Sequence, residues 1–308
     1  MIAKGQGNTM ATPLLKFVQC LGAAGLHRMA YWEWAHTGAH TGAHARTESA
    51  PPTVVCVHGL SRQGRDFDTL AAALSRHYRV ICPDVVGRGE SDWLSNPAGY
   101  QLPAYVADMV SLIARLDVTV VDWVGTSMGG LIGMSLAALP GSPVRRLVLN
   151  DVGPAIRYES LLRIGGYLGQ PLRFDSAASG AAYLRSISVG FGPHSDAQWA
   201  ALSAPMFKPD GNQLRLHYDP TIALPFKAVT KELSALGEAA LWRTYDAIAC
   251  PTLLLRGADS DLLASATALA MTERGPRARL IELAGVGHAP TLVQAEQIST
   301  VREFLSAA

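Results

Sequence analysis

Residues 120–130 read Val-Val-Asp-Trp-Val-Gly-Thr-Ser-Met-Gly-Gly and carry the strongest local pattern in this chain. A valine-rich run breaks at Gly125, a turn of small residues presents Ser127, and apolar residues at helical spacing follow from Leu131. The sequence Gly-x-Ser-x-Gly between a strand and a helix is typical of a nucleophile elbow, whose glycines let other backbone pass close to a sharp turn. The pattern predicts Ser127 as a nucleophile and the N–H of Met128 as an oxyanion donor.

Other interpretations of this stretch are less favoured. Ser127 is also compatible with a residue that only caps the following helix. A phosphate-binding loop needs Lys and then Ser or Thr after its last glycine, but Leu131 and Ile132 follow Gly130. The dinucleotide fingerprint needs a second glycine where this chain has Ser127. The run of strand, turn and helix therefore favours the elbow.

Composition limits the classes of protein. The 308 residues allow two domains or one α/β domain with an insertion, and 49% hydrophobic residues are enough for a large core. A net charge of +1 gives no electrostatic basis for binding nucleic acid or an anionic membrane. The four scattered cysteines predict free, mostly buried thiols rather than disulfides or metal ligands, and thus a reducing, cytoplasmic location. These cysteines are Cys20, Cys56, Cys82 and Cys250.

The first 50 residues contain two segments that need separate interpretation. No apolar run approaches the roughly 18–20 residues of a transmembrane helix. Residues 14–25 are mildly apolar, but Lys16 and Gln19 interrupt them, which predicts an amphipathic lead-in within residues 1–28 rather than a signal peptide. In residues 36–50 histidines recur every four positions, which on a helix would form a metal-binding face; the glycines and threonines favour a hairpin loop instead.

Short apolar runs alternate with stretches of helical spacing along most of the chain. A first strand is expected at residues 29–35, and the later runs are at 54–57, 80–82, 120–124, 147–149, 253–255 and 278–283. This alternation predicts an α/β fold with a doubly wound, mostly parallel sheet. We assign residues 29–151 and 248–308 to this core.

Residues 152–247 interrupt the alternation. They contain helix-like stretches, glycines, prolines and many aromatic side chains, such as Tyr183 and Trp199, but no pattern of a buried strand. The segment is too long for a loop in a compact domain. It predicts a helical lid inserted between two core strands, with some aromatic residues facing a cleft. Its arginines at 157, 163, 173 and 185 are candidates for binding a carboxylate.

The remaining chemistry is expected at the carboxyl ends of the strands, where parallel sheets bind ligands. His58 and Gly59 follow one strand, and the glycine lets the N–H of Leu60 face the elbow as a second oxyanion donor. We expect His58 itself to have a structural role. His288 lies on a glycine-flanked loop before the last helical stretch and is the predicted base.

Three aspartates are candidates for the acid that orients His288. Asp261 is preferred, because the two leucines after it can anchor its loop in apolar surroundings. Asp259 lies in the same loop after the 253–255 strand, and Asp151 follows the 147–149 strand. Both stay open as alternatives.

Taken together, these segments resemble the α/β-hydrolase fold superfamily, in its lid-bearing branch of serine esterases, lactonases and carbon–carbon bond hydrolases. The similarity spans about residues 29–308 and includes the order Ser127, Asp261, His288. The matching pieces are residues 58–59, 84–92, 125–130, 256–261 and 287–288. The 84–92 loop resembles the family's Asp-x-x-Gly-x-Gly-x-Ser turn, for which we expect a structural role.

The resemblance implies a serine hydrolase that cleaves a small or medium, partly apolar carboxylic ester or lactone through an acyl-enzyme on Ser127. A carbon–carbon bond hydrolase of aromatic ring-cleavage products and a non-catalytic ligand receptor are the alternatives. Haloalkane dehalogenases and epoxide hydrolases of this fold use aspartate at the elbow, so neither is favoured. No metal or organic cofactor is expected. The expected partner is a small acyl substrate, with no nucleic acid or membrane, and the expected assembly is a monomer or homodimer.

Overall fold

A computed structural model describes residues 12–37, 51–227 and 229–307 of the chain. The strands are β1 (Leu14–Gly22), β2 (Gly25–Trp34), β3 (Thr53–Val57), β4 (Arg79–Pro83), β5 (Val121–Thr126), β6 (Val144–Asn150), β7 (Arg173–Phe174), β8 (Phe207–Asp210), β9 (Gln213–Leu216), β10 (Thr252–Gly257) and β11 (Arg279–Leu283). The helices are α1 (Asp68–Leu74), α2 (Leu102–Leu116), α3 (Met128–Ala137), α4 (Tyr158–Tyr167), α5 (Ala177–Ile187), α6 (Asp196–Ser203), α7 (Leu224–Lys227), α8 (Lys231–Asp246), α9 (Ser265–Glu273) and α10 (Ala295–Ser306).

Eight of the strands form one twisted sheet in the order β1-β2-β4-β3-β5-β6-β10-β11. The pairs from β4 to β11 are parallel, whereas β1 pairs with β2, and β2 with β4, in antiparallel register. The prediction of a mostly parallel α/β sheet is therefore confirmed.

The central strands carry apolar side chains on both faces of the sheet. Both faces must therefore be buried, and helices cover them. Along β3, Val55 and Val57 pack into a core shared with α2 and α3, while Val54 and Cys56 pack into a second core shared with α1 and α10. All five residues of β3 are buried. This arrangement places the carboxyl ends of β3, β5, β6, β10 and β11 along one edge of the sheet.

Part of the expected lead-in is the edge strand β1. Its central residues alternate between the core and solvent, with Val18 and Cys20 buried and Gln19 exposed between them. Lys16 interrupts the apolar run because it faces a partner: its Nζ is 2.8 Å from Glu33 on β2. The two polar residues that interrupt the apolar run therefore fit a strand with period two: Gln19 faces solvent, and Lys16 contacts the neighbouring strand.

The segment between β6 and β10 contains α4 to α8, as the helical pattern predicts, and also a small antiparallel sheet in the order β7-β9-β8. The sequence did not predict this sheet, because strands of two to four residues are too short to show alternation. That residues 152–247 act as a lid stays a prediction.

Two further expectations from the sequence concern membrane-spanning helices and the histidine-rich segment. Within the described residues, no helix combines the length and apolarity needed to cross a lipid bilayer. Most of the histidine-rich segment 36–50, including His40 and His44, lies outside the described residues.

Candidate active site

Ser127 occupies the sharp turn predicted from the sequence, directly after β5 and directly before α3. Its backbone has φ 52° and ψ −116°, a conformation that non-glycine residues rarely adopt and that is found at functional turns. The flanking glycines allow this turn: a Cβ on Gly125 would lie 2.3 Å from the carbonyl oxygen of Gly129. A Cβ on Gly129 would lie 2.0 Å from the carbonyl oxygen of Val57.

His288 reaches this serine from the loop between β11 and α10. Its Nε2 is 3.0 Å from Ser127 Oγ, within the range of a nucleophile–base hydrogen bond. The loop is packed closely, since a Cβ on Gly257 would lie 2.4 Å from the carbonyl oxygen of Gly287. The N–H of Gly287 also donates to the carbonyl of Gly190 in the inserted segment, at 2.7 Å.

The carboxylate beside His288 belongs to Asp151, which is fully buried. Its Oδ2 accepts a hydrogen bond from His288 Nδ1 at 2.8 Å. The same carboxylate accepts from the N–H of Gly257 at 2.9 Å and from the hydroxyl of Ser260 at 2.6 Å. Because a carboxylate only accepts, the proton of neutral His288 is on Nδ1, which leaves Nε2 free to accept from Ser127.

The preferred position of the acid is thereby corrected, because Asp261 does not contact His288. Asp261 Oδ2 lies 2.6 Å from Arg163 on α4, and its side chain is 50% exposed. Asp259 is exposed as well, and its N–H donates to the carbonyl of Val286. The neighbouring Ser260 turns inward instead and carries the link from this loop to the buried carboxylate.

Leu60 and Met128 lie where two oxyanion donors are expected. Met128 is the first residue of α3, so its N–H has no acceptor within the helix. Leu60 lines the same cleft as Ser127, and a Cβ on the preceding Gly59 would be in ordinary van der Waals contact with Ser127 Cβ, at 3.7 Å. Their assignment as donors stays a prediction.

His58 supports the loop that carries Leu60. Its Nδ1 donates to the carbonyl of Gly59 at 2.7 Å, and its Nε2 accepts from the N–H of Val85 at 2.9 Å. Burial lowers the pKa of His58 to about 3, so the ring is neutral at physiological pH. The structural role expected for this histidine agrees with these contacts.

The 84–92 loop buttresses the same region through Arg88, which the sequence analysis did not single out. Its buried guanidinium donates from Nε to the carbonyl of Leu60 at 2.9 Å, and its Nη2 lies 3.7 Å from Met128 Sδ. One buried cation thus touches both residues expected to supply oxyanion donors. Burial also raises the pKa of Asp84, at the start of the loop, to about 7.

A cleft lies above Ser127 and His288, between the sheet edge and the inserted segment. Nearly half of its lining comes from the insertion. The aromatic members are Phe67, Tyr167, Phe191 and Tyr218. Trp199, one of the aromatic residues noted in the sequence, does not line the cleft itself. Its ring stacks on that of Phe191, with 6.0 Å between ring centroids.

Cys20, His27 and Asp108 form a group that could supply ligands to a metal ion, away from this cleft. Their ligand atoms lie within 4.8 Å of one another and all three residues are buried. In the structure, His27 Nε2 is 3.0 Å from each carboxylate oxygen of Asp108, so the cluster is already bonded internally. The sequence gives no sign of it, because Asp108 is far from the other two along the chain.

Comparison with known proteins places the chain in a family. A model described as the alpha/beta hydrolase family matches residues 54–300. The 3-hydroxybutyrate-oligomer hydrolase of Cupriavidus necator is 53% identical over 302 residues, which are 97% of this chain and 99% of that protein. A crystal structure of an alpha/beta hydrolase from Novosphingobium aromaticivorans has a TM-score of 0.81 and 33% identity, covering 96% of this chain and 99% of that one.

A more distant structure agrees on the fold. E-2-(acetamidomethylene)succinate hydrolase superposes with a TM-score of 0.77 at 21% identity, covering 96% of this chain and 100% of that one. The chain belongs to the alpha/beta hydrolase family, and it is an enzyme of the carboxylic ester hydrolase class.

Proposed function

We propose that this enzyme is a serine hydrolase that cleaves short oligoesters of a small hydroxy acid, with 3-hydroxybutyrate oligomers as the leading candidates. The observation that carries the proposal is the contact of Ser127 Oγ with His288 Nε2 at 3.0 Å, backed by the 2.8 Å bond from His288 to Asp151. The substrate class is supported by the Cupriavidus necator relative, which covers nearly the whole chain.

The proposed reaction follows from the order of these contacts. His288 takes the proton of Ser127 as its oxygen attacks the ester carbonyl, and Asp151 stabilises the imidazolium that forms. The N–H groups of Leu60 and Met128 stabilise the oxyanion. His288 then protonates the departing alkoxide, so the ester C–O bond breaks and an acyl-enzyme remains. Water, activated by the same histidine, releases the acid and restores Ser127.

Residues 152–247 would act in this scheme as a lid that sets substrate preference. They supply much of the cleft wall, and the carbonyl of Gly190 in this segment accepts a hydrogen bond from the loop that carries His288. An apolar wall suits the methyl and methylene groups of a hydroxyalkanoate chain. A cytoplasmic location, function without a cofactor, and assembly as a monomer or homodimer stay predictions.

A substrate comparison tests the proposal. Purified enzyme is given the 3-hydroxybutyrate dimer and trimer, p-nitrophenyl butyrate, and a vinylogous diketone from aromatic ring cleavage, and products are quantified by chromatography. We expect the highest kcat/KM for the oligoesters and its loss in Ser127→Ala. Faster cleavage of the diketone would favour a carbon–carbon bond hydrolase, and stoichiometric binding without turnover of any compound would favour a ligand receptor.

A further inference from the structure

The cleft is lined by charged side chains as well as apolar ones. Among the described residues that line it, the cationic side chains at neutral pH, histidines apart, are Arg62 and Arg163, and the anionic one is Asp66. Hydrolysis of an uncharged ester needs no cationic side chain, because neutral backbone N–H groups stabilise the oxyanion. The two arginines differ in how available they are to a ligand.

Arg62 is already held in the cleft wall by hydrogen bonds from three of its five N–H donors. Its Nε and Nη2 donate to the two carboxylate oxygens of Asp66 at 2.7 and 2.6 Å, a bidentate pair. Nη2 also donates to the carbonyl of Leu202 at 2.8 Å, and the side chain is only 12% exposed. Its charge is neutralised within the wall of the cleft.

Arg163 is different. It projects from α4 into the cleft, its side chain is 45% exposed, and its single acidic partner among the described residues is Asp261, at 2.6 Å. Asp261 is itself half exposed and does not line the cleft. An exposed pair of this kind is weak, and a guanidinium has five N–H donors, so Arg163 can donate hydrogen bonds to a second carboxylate.

We propose that Arg163 binds the free terminal carboxylate of the oligoester, which rests on the proposed function of the Ser127 site. In any such chain, the carboxylate lies on the alkoxide side of every ester bond. A carboxylate held at Arg163 therefore orients the chain, with the leaving group towards α4 and the acyl group on Ser127. Cleavage then releases a hydroxy acid, or a short oligomer, from the carboxyl end of the substrate.

Asp261 has a defined part in this arrangement. With the cleft empty, it holds the Arg163 guanidinium at the cleft; when substrate enters, the two carboxylates share the donors. The free acid and its neutral terminal amide have the same acyl group and the same single ester bond, so their ratio of kcat/KM isolates recognition of the charge.

The experiment measures that ratio for the 3-hydroxybutyrate dimer as free acid and as terminal amide. In Arg163→Gln we expect the preference for the free acid to fall roughly 10- to 100-fold, the range for a charge-assisted hydrogen bond. Arg163→Lys, which keeps the charge but not the fork, should retain part of the preference. Raising salt should reduce the wild-type preference, because the site is half exposed.

Arg173→Gln is the matched control, since Arg173 is also in the inserted segment and also pairs with an aspartate, Asp210, at 2.7 Å, but does not line the cleft. Its ratio should equal that of the wild type. If Arg163→Gln keeps the wild-type ratio, or Arg173→Gln loses as much, the carboxylate site is overturned while the ester hydrolase stands. If the wild type cleaves neither dimer, the proposed function fails, and the inference fails with it.

Discussion

Replacing Asp151 by asparagine should separate orientation of the base from the rest of the site. In the wild type, Asp151 Oδ1 accepts from the N–H of Gly257, and Oδ2 accepts from Ser260 and His288. In the variant, the asparagine oxygen can still accept from Gly257, but an NH₂ group takes the place of Oδ2. An NH₂ group donates, so His288 Nδ1 must become an acceptor and the ring proton moves to Nε2. That nitrogen then faces Ser127 with a proton and cannot remove another. We expect a loss of turnover of up to ~10⁴-fold, as for an orienting aspartate in other triads.

The assay is kcat on a small neutral ester, p-nitrophenyl butyrate, with thermal unfolding to show that Asp151→Asn is folded. Asp259→Asn, at an exposed residue of the neighbouring loop, should match the wild type. Asp261→Asn should cost less than ~10-fold on this uncharged substrate, because surface ion pairs contribute little. A folded Asp151→Asn enzyme with near-normal turnover, or a loss of ~10⁴-fold in Asp261→Asn, would refute the assignment of the acid.

Three further results are expected. Gly129→Ala should lower the midpoint of thermal unfolding by several degrees, because the new Cβ would lie 2.0 Å from a backbone oxygen of β3. Gly237→Ala, in α8 with open space around its Cβ position, should raise it slightly, and equal effects would contradict the packing argument. Phe191→Ala should change the relative kcat/KM of dimer and trimer by a factor equivalent to ~1–3 kcal/mol while Ser127 still reacts with a small fluorophosphonate; an unchanged ranking would remove the lid from substrate selection. His58 has a folded pKa of about 3, below its unfolded value, so the unfolded chain binds more protons between these values and stability falls as pH drops from 6.5 towards 3. In His58→Gln, denaturant unfolding should show a shallower fall, by up to ~1.4 kcal/mol per pH unit, and parallel curves would contradict a neutral buried His58.

Features that depend on residues close together in the sequence could be predicted from the sequence alone. The elbow depends on a strand, a turn and a helix that are consecutive along the chain, and its glycines are needed for contacts within a few ångströms of Ser127. The positions of His288 and Leu60 follow equally from the rule that loops at the carboxyl edge of a parallel sheet converge.

The residue that supplies the acid could not be predicted in this way, because β6 and β10 are adjacent parallel strands and both end at the same edge of the sheet. Either loop can present a carboxylate to His288, and sequence spacing does not distinguish them. The decision depends on three-dimensional contacts: Asp151 has φ 53°, and the N–H of Gly257 and hydroxyl of Ser260 hold its carboxylate. Arg163 is a similar case, since only the packing of α4 over the cleft separates it from the other arginines of the insertion.

Covalent capture of the acyl group bears most directly on the proposed reaction. Enzyme mixed with p-nitrophenyl butyrate is quenched in acid within milliseconds to seconds, digested and mapped by mass spectrometry, alongside Ser127→Ala. We predict one butyryl group on the peptide that contains Ser127, formed in a burst with p-nitrophenol and absent from the variant. Turnover that persists in Ser127→Ala, or an acyl group on another residue, would contradict Ser127 as the nucleophile.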